Sequence, residues 1–113
     1  MKMKTFLATF LIVCFAICSV AKNLPKREFR GVWLHTINGD YTGKSPEEFK
    51  TYLISQLNSL QKAGINAVLF QVRPEADAFY PSKLEPWSRF LTGTQGIAPS
   101  DNFDPMAFVI DEC

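Results

Sequence analysis

Two apolar stretches and one amphipathic stretch give this chain its predicted secondary structure. Residues 28–36 (EFRGVWLHT) alternate between two faces, which is typical of a strand. Residues 65–72 (INAVLFQV) are apolar at most positions, as in a parallel strand that is covered on both faces. Between them, Phe49, Leu53 and Leu57 recur at helical spacing. The pattern predicts strand, helix, strand, which is one right-handed βαβ unit.

The ends of the predicted helix carry strong local signals. Ser45 is a typical N-cap, Pro46 suits the first helical position, and Glu48 completes a capping box with Ser45. Gly64 follows the last apolar residue, at a place where a left-handed residue commonly ends a helix. The helix is therefore predicted to lie between Ser45 and Gly64.

A second helical pattern begins near the end of the sequence. Asp104 is a suitable N-cap and Pro105 follows it at the first helical position. Met106, Val109 and Cys113 then repeat at helical spacing, without a stop signal. We therefore expect a chain that is truncated inside its second helix.

The segment between the second strand and this helix is unusually long. It runs from Arg73 to Asp104, about thirty residues, whereas a strand-to-helix connection usually has roughly 2–6. Disordered segments are poor in large apolar residues, and this one contains several: Phe79, Tyr80, Trp87, Phe90 and Leu91. The segment is predicted to be an ordered, functional loop.

The alternation along both strands predicts which side chains face a site. Val32 and Leu34 in the first strand, and Val68, Phe70 and Val72 in the second, suit packing under helices. The opposite face ends in three polar side chains, namely His35, Gln71 and Arg73. If the sheet closes into a barrel, these three reach its carboxyl-end mouth, where active sites of such barrels lie. We expect them to line a polar, substrate-binding pocket.

Each of these residues also has a structural interpretation. His35 could cap its strand by bonding to a backbone carbonyl. Arg73 could pair with Glu75 or Asp77 to hold the loop, because a guanidinium fits a carboxylate in either role. Gln71 is a polar amide at the end of a buried strand, so it must find a hydrogen-bond partner.

Glu75, Asp77 and Trp87 are the remaining candidates for substrate contact. Paired carboxylates serve as acid and base or nucleophile in glycoside hydrolysis. Two positions apart in a loop, however, Glu75 and Asp77 are better suited to binding hydroxyls or holding the loop. Trp87 is either a stacking platform for a sugar ring or a side chain that fixes the loop to the barrel rim.

The first 21 residues have the pattern of a secretory signal peptide. Lys2 and Lys4 precede an apolar run, and residues 19–21 supply small side chains for cleavage. We expect cleavage after Ala21, a linker over residues 22–27, and export to the periplasm, cell envelope or extracellular space. Contact with a membrane is expected only through the signal peptide during export.

Charge and motif content exclude several classes of protein. The chain has 12 basic and 11 acidic residues, and loss of Lys2 and Lys4 leaves 10 against 11, a net charge of −1. A nucleic-acid partner would require a basic face, so none is expected. The sequence has no glycine-rich phosphate loop, no nucleophile elbow and no Cys or His cluster with metal spacing, so neither a cofactor nor a metal is predicted.

Two long segments resemble a known family. PKREFRGVWLHT (residues 25–36) and the sequence from Gly64 to Gly96, which includes NAVLFQVRPEADA and EPWSRFLTG, are similar to the glycosyl hydrolase-like 10 family of exported bacterial proteins. The resemblance implies a (β/α)₈ TIM barrel, of which residues 28–113 would form an incomplete N-terminal part: the first strand, first helix, second strand and the start of the second helix. The catalytic acids would then lie beyond Cys113.

The resemblance also implies a function. The parent protein is expected to hydrolyse glycosidic bonds of a bacterial cell-wall glycan or another polysaccharide, with carbohydrate as its partner and this segment, inactive alone, as one wall of the cleft. The alternatives are a non-catalytic glycan-binding barrel and an inactive gene fragment. A pair of carboxylates about 5–9 Å apart at the barrel mouth would distinguish an enzyme from a binding protein.

Overall fold

The computed structural model describes residues 28–113, so the predicted signal peptide and linker lie outside the described residues. The elements are β1 (Gly31–Leu34), α1 (Pro46–Lys62), β2 (Ala67–Phe70), α2 (Arg89–Thr92), a 3₁₀ turn (Ser100–Asn102) and α3 (Pro105–Glu112). The two strands pair in parallel, with Gly31 opposite Ala67 and Leu34 opposite Phe70. The predicted strand–helix–strand order is confirmed.

Both strands are shorter than the hydrophobic pattern predicted, because side chains replace the backbone ladder at their ends. At the amino end, the Asn66 side chain accepts from Arg30 N (2.8 Å) and donates to Glu28 O (2.6 Å). At the carboxyl end, Thr36 N donates to the Gln71 side chain (3.0 Å). Side-chain amides thus satisfy backbone groups at the points where regular strand pairing stops.

Helix α1 has the predicted ends. Ser45 Oγ accepts from Glu48 N, and the Glu48 carboxylate accepts from Ser45 N (2.8 Å), so the capping box is complete. Hydrogen bonds from the backbone N–H and then from the hydroxyl of Ser45 to the Glu48 carboxylate lower the pKa of that carboxyl. At the other end, Gly64 has φ +85°, the left-handed conformation expected after a helix.

The hydrophobic core lies between one face of the sheet and the helices. Its buried members are Tyr41, Phe49, Leu53, Phe79, Leu91 and Val109. Leu34, Phe70 and Val72 pack against it, which confirms the predicted helix-facing side of both strands. On the opposite face, the paired residues Trp33 and Leu69 are 60% and 42% exposed.

The long connection after β2 is ordered, as predicted. It also contains a short helix, α2, that the sequence did not predict. The four residues of α2 begin after Ser88, whose side chain accepts from Phe90 N, and end at Gly93 with φ +88°. A helix this short buries one residue, Leu91, and so leaves no periodic pattern in the sequence. Asp104 caps α3 as predicted, accepting from Ala107 N at 3.0 Å.

No helix within residues 28–113 combines the length and hydropathy that crossing a membrane requires.

Candidate functional site

A compact loop is built at the carboxyl end of β2 from two limbs of the chain. We call residues 73–89 the rim loop. Its outgoing and returning limbs meet at a parallel bridge in which Ala78 N donates to Pro86 O and Ser88 N donates to Ala78 O, both at 2.9 Å. Phe79 N also donates to Val72 O at 3.0 Å, which fixes the loop to the end of the strand. These backbone bonds hold the charged side chains of the loop in defined places.

Two bidentate ion pairs join the limbs of the rim loop. Arg73 Nε lies 2.8 Å from Glu85 Oε2, and Arg73 Nη2 binds the other oxygen of the same carboxylate. Arg89 Nε and Nη2 lie 3.0 and 2.9 Å from the two oxygens of Glu75. Forked contacts of this kind fix the orientation of both partners.

Arg73 pairs with a carboxylate of the loop, as its structural interpretation allowed, but the partner is neither Glu75 nor Asp77. Glu85, twelve residues away, takes the guanidinium because the bridge brings the returning limb beside the strand end. The Arg73 side chain remains 55% exposed, whereas that of Glu85 is only 17% exposed. The Arg73 guanidinium is therefore held by the largely buried Glu85 carboxylate while part of the Arg73 side chain remains open to solvent.

Glu75 and Asp77 were both predicted as candidates for substrate contact, and the burial of Asp77 contradicts that role for it. Asp77 is fully buried, and its Oδ1 accepts from Glu75 N at 3.1 Å. Between them Ala76 has φ +53°, which turns the chain so that Glu75 faces solvent and Asp77 faces inward. The two side chains are thus divided between surface and interior.

Gln71 and His35 lie at the ends of the two strands, as predicted. Gln71 Oε1 accepts from Thr36 N (3.0 Å), and Thr36 Oγ1 donates to Gln71 O (3.2 Å), so the amide has the partner that its position required. His35 is exposed, and its Nε2 lies 3.3 Å from Asn38 Nδ2. Gln71 therefore joins the strand ends, and His35 is the more accessible of the two.

Trp87 is half-buried and packs against the hydrophobic core. Its carbonyl accepts from Gly96 N at 2.8 Å, and its backbone forms the bridge with Ala78. This placement favours the second role predicted for Trp87, that of fixing the loop, over the role of a free stacking platform for a sugar ring.

The geometry places donors and acceptors at one end of the sheet. The exposed part of the rim loop offers guanidinium N–H groups and a carboxylate, which together suit hydroxyl groups of a ligand. Both carboxylates of the ion pairs are occupied on both oxygens, so the rim loop supplies binding groups and not a free acid–base pair. Residues 28–113 contain no group of three or more side chains that could hold a metal ion.

Comparison with known sequences identifies the family of this chain. The sequence profile of the family described as glycosyl hydrolase-like 10 matches residues 28–113, from before β1 to the end of α3. The chain belongs to the glycosyl hydrolase-like 10 family. The resemblance recognised in the two sequence segments is therefore confirmed.

Individual relatives of this family agree with the profile. The glycosyl hydrolase YngK of Bacillus subtilis (strain 168) is 43% identical over 113 residues, which cover 95% of this chain and 22% of YngK. The glycosyl hydrolase DigH of Escherichia coli (strain K12) is 36% identical over 95 residues, which cover 74% of this chain and 21% of DigH. The chain spans about a fifth of the length of these curated relatives.

Two residues of this glycosyl hydrolase-like 10 chain were missed as site residues from its sequence. Glu85 and Arg89 flank Trp87 in the motif EPWSRFLTG, and each completes one of the ion pairs. The signal that could have found them is charge complementarity, since the loop has two arginines, Arg73 and Arg89, that can each pair with one of its three carboxylates, Glu75, Asp77 and Glu85.

Proposed function

We propose that this chain forms one wall of the substrate cleft of an exported TIM-barrel glycoside hydrolase. Membership in the glycosyl hydrolase-like 10 family supports the reaction class, and the parallel βαβ unit is compatible with the first part of a (β/α)₈ barrel. The substrate we propose is a bacterial cell-wall glycan or another polysaccharide, cleaved after export.

The rim loop carries the proposal. It follows the carboxyl end of a parallel strand, the place where barrels of this kind bind their substrates. There Arg73 and Glu75 are held by forked contacts yet remain 55% and 47% exposed at the side chain. Oriented, accessible donors and acceptors lose little conformational entropy when they bind a sugar hydroxyl.

In this proposal the chain binds and orients the glycan and does not transfer protons. Arg73 donates to a sugar oxygen and Glu75 accepts from a hydroxyl, while the catalytic carboxylates lie outside residues 28–113. The observation behind this division is that both carboxylates of the ion pairs are bound by guanidinium groups.

Arg73→Ala in the intact protein tests the binding role. Loss of a charged hydrogen bond is worth about 1.5–3 kcal/mol, so glycan affinity should fall roughly 10–100-fold. Arg30→Ala is a matched control, because Arg30 is also exposed and paired, with Glu28, but lies before β1 at the opposite end of the strand. Unchanged affinity in a folded Arg73 variant, or an equal loss in both variants, would refute the proposal.

A non-catalytic glycan-binding barrel is the second candidate. The observation that favours it is that Glu75 and Glu85 are both bound by guanidinium groups. The rim loop then offers groups for binding a glycan but no free acid–base pair for cleaving it. Assays with the intact protein separate the two: release of new reducing ends supports the hydrolase, whereas saturable glycan binding without product supports the binding protein.

A further inference from the structure

Asp77 is an unusual residue for a surface loop. Its side chain is fully buried, and Oδ2 has no hydrogen-bond partner among residues 28–113. Only Oδ1 is bound, by the backbone N–H of Glu75 at 3.1 Å. Because leaving a buried polar atom unpaired costs free energy, such an atom in a folded protein calls for an explanation beyond stability.

The backbone beside Asp77 is strained as well. Ala76 has φ +53°, in the left-handed region that residues with a Cβ seldom occupy. Strain of this kind persists when surrounding contacts impose it, and it is concentrated at functional sites. The Asp77–Glu75 hydrogen bond spans this residue and closes the turn around it.

The turn decides where Glu75 points. The residue after Asp77 is Ala78, which forms the bridge that places Ser88 and therefore Arg89 at the start of α2. With its backbone N–H tied to Asp77, Glu75 meets Arg89 in a forked contact at 2.9 and 3.0 Å. Two adjacent anchors thus hold both partners of that ion pair.

We propose that Asp77 is a positioning residue that fixes the Glu75 carboxylate for ligand binding, through the hydrogen bond from Glu75 N across the strained Ala76 turn. As a statement about glycan recognition this rests on the proposed function. Asp77 itself is buried and does not touch the ligand. Its contribution requires one acceptor oxygen and no charge.

A set of variants of the intact protein tests this role. Asp77→Asn keeps an acceptor oxygen for Glu75 N and should keep glycan affinity within about threefold of wild type. Asp77→Ala removes the acceptor and should lower affinity roughly tenfold, to the level of Glu75→Ala. In the double variant, Asp77→Ala should cause no additional loss, because its effect passes through Glu75.

A role confined to stability gives a different result, since Asp77→Ala would then leave the glycan affinity of the folded protein at the wild-type level, which would also overturn the proposal. Additive losses, or an equal loss in Asp77→Asn and Asp77→Ala, would overturn the proposal. Isothermal titration with cell-wall glycan fragments supplies the affinities.

Crystal structures of the variants test the positioning independently of any ligand. The contact between Glu75 and Arg89 should persist in Asp77→Asn and be broken in Asp77→Ala. An intact contact in Asp77→Ala, or a broken one in Asp77→Asn, contradicts the proposal. If Asp77→Ala does not fold, a Glu75–Arg89 contact that is broken in Asp77→Asn still overturns the proposal. If the wild type binds no glycan, the proposed function fails, while the two crystal structures still decide the role of Asp77.

Discussion

The attachment of the rim loop to the core depends on one aromatic side chain. Phe79 is fully buried, and its ring centroid lies 6.2 Å from that of Phe70 and 6.5 Å from that of Tyr41, both nearly edge-on. Replacing it by alanine removes this packing and leaves a cavity between strand and loop. A buried Phe→Ala change costs about 3–5 kcal/mol, and we expect Phe79→Ala to fall in this range.

Urea unfolding of the intact protein, followed by circular dichroism, measures this cost. Leu84→Ala is the matched control, because Leu84 lies in the same loop but is 95% exposed. The free energy of unfolding of this variant should differ from that of the wild type by less than about 0.5 kcal/mol. A loss below about 1 kcal/mol in Phe79→Ala, or an equal loss in both variants, would refute the anchoring role of Phe79.

Further predictions concern the backbone around the site and helix α1. Ser45→Ala should lower the free energy of unfolding by about 1 kcal/mol in urea titrations, because α1 loses its N-cap acceptor, and an unchanged value would contradict the capping role. Gly64→Ala should cost about 1–2 kcal/mol in the same assay, although the nearest atom to the added Cβ is 3.9 Å away, because φ of +85° strains any residue with a Cβ. Ala76→Gly should instead raise the melting temperature, since glycine adopts φ of +53° without strain, and a lower value would show that Ala76 is unstrained. The lowered pKa of Glu48 means that its stabilising effect is present above the unfolded pKa of about 4.3 and is lost as pH falls through the folded value. Glu48→Gln should therefore flatten the acid limb of the stability curve, and an identical limb would refute the assignment.

Local signals account for what the sequence predicted well. The bounds of α1 depend on residues within four positions of each helix end, so Ser45, Pro46 and Glu48 could be interpreted without knowledge of the fold. The same holds for the Asp104 cap of α3. The inward faces of the strands followed from alternation alone, because Leu34 and Phe70 must leave water.

Long-range contacts account for what could not be predicted. The partner of Arg73 is decided by the bridge between Ala78 and Trp87, and nothing near Arg73 in the sequence favours Glu85 over Glu75. The burial of Asp77 depends on the left-handed conformation of Ala76, which alanine rarely adopts. The strands end earlier than predicted because the side chains of Asn66 and Gln71 bind backbone groups of the neighbouring strand. The hydrophobic pattern does not predict such side-chain hydrogen bonds.

The bridge between Ala78 and Trp87 also has an evolutionary consequence. It closes the rim loop below its tip, residues 81–84, where Ser82 Oγ accepts from the backbone N–H groups of Leu84 and Glu85. Insertions or deletions at Lys83 and Leu84 would lengthen or shorten the tip without moving the bridge or the Glu75–Arg89 pair. We therefore expect changes of length at the tip to be tolerated while the base of the loop keeps its bridge and ion pair.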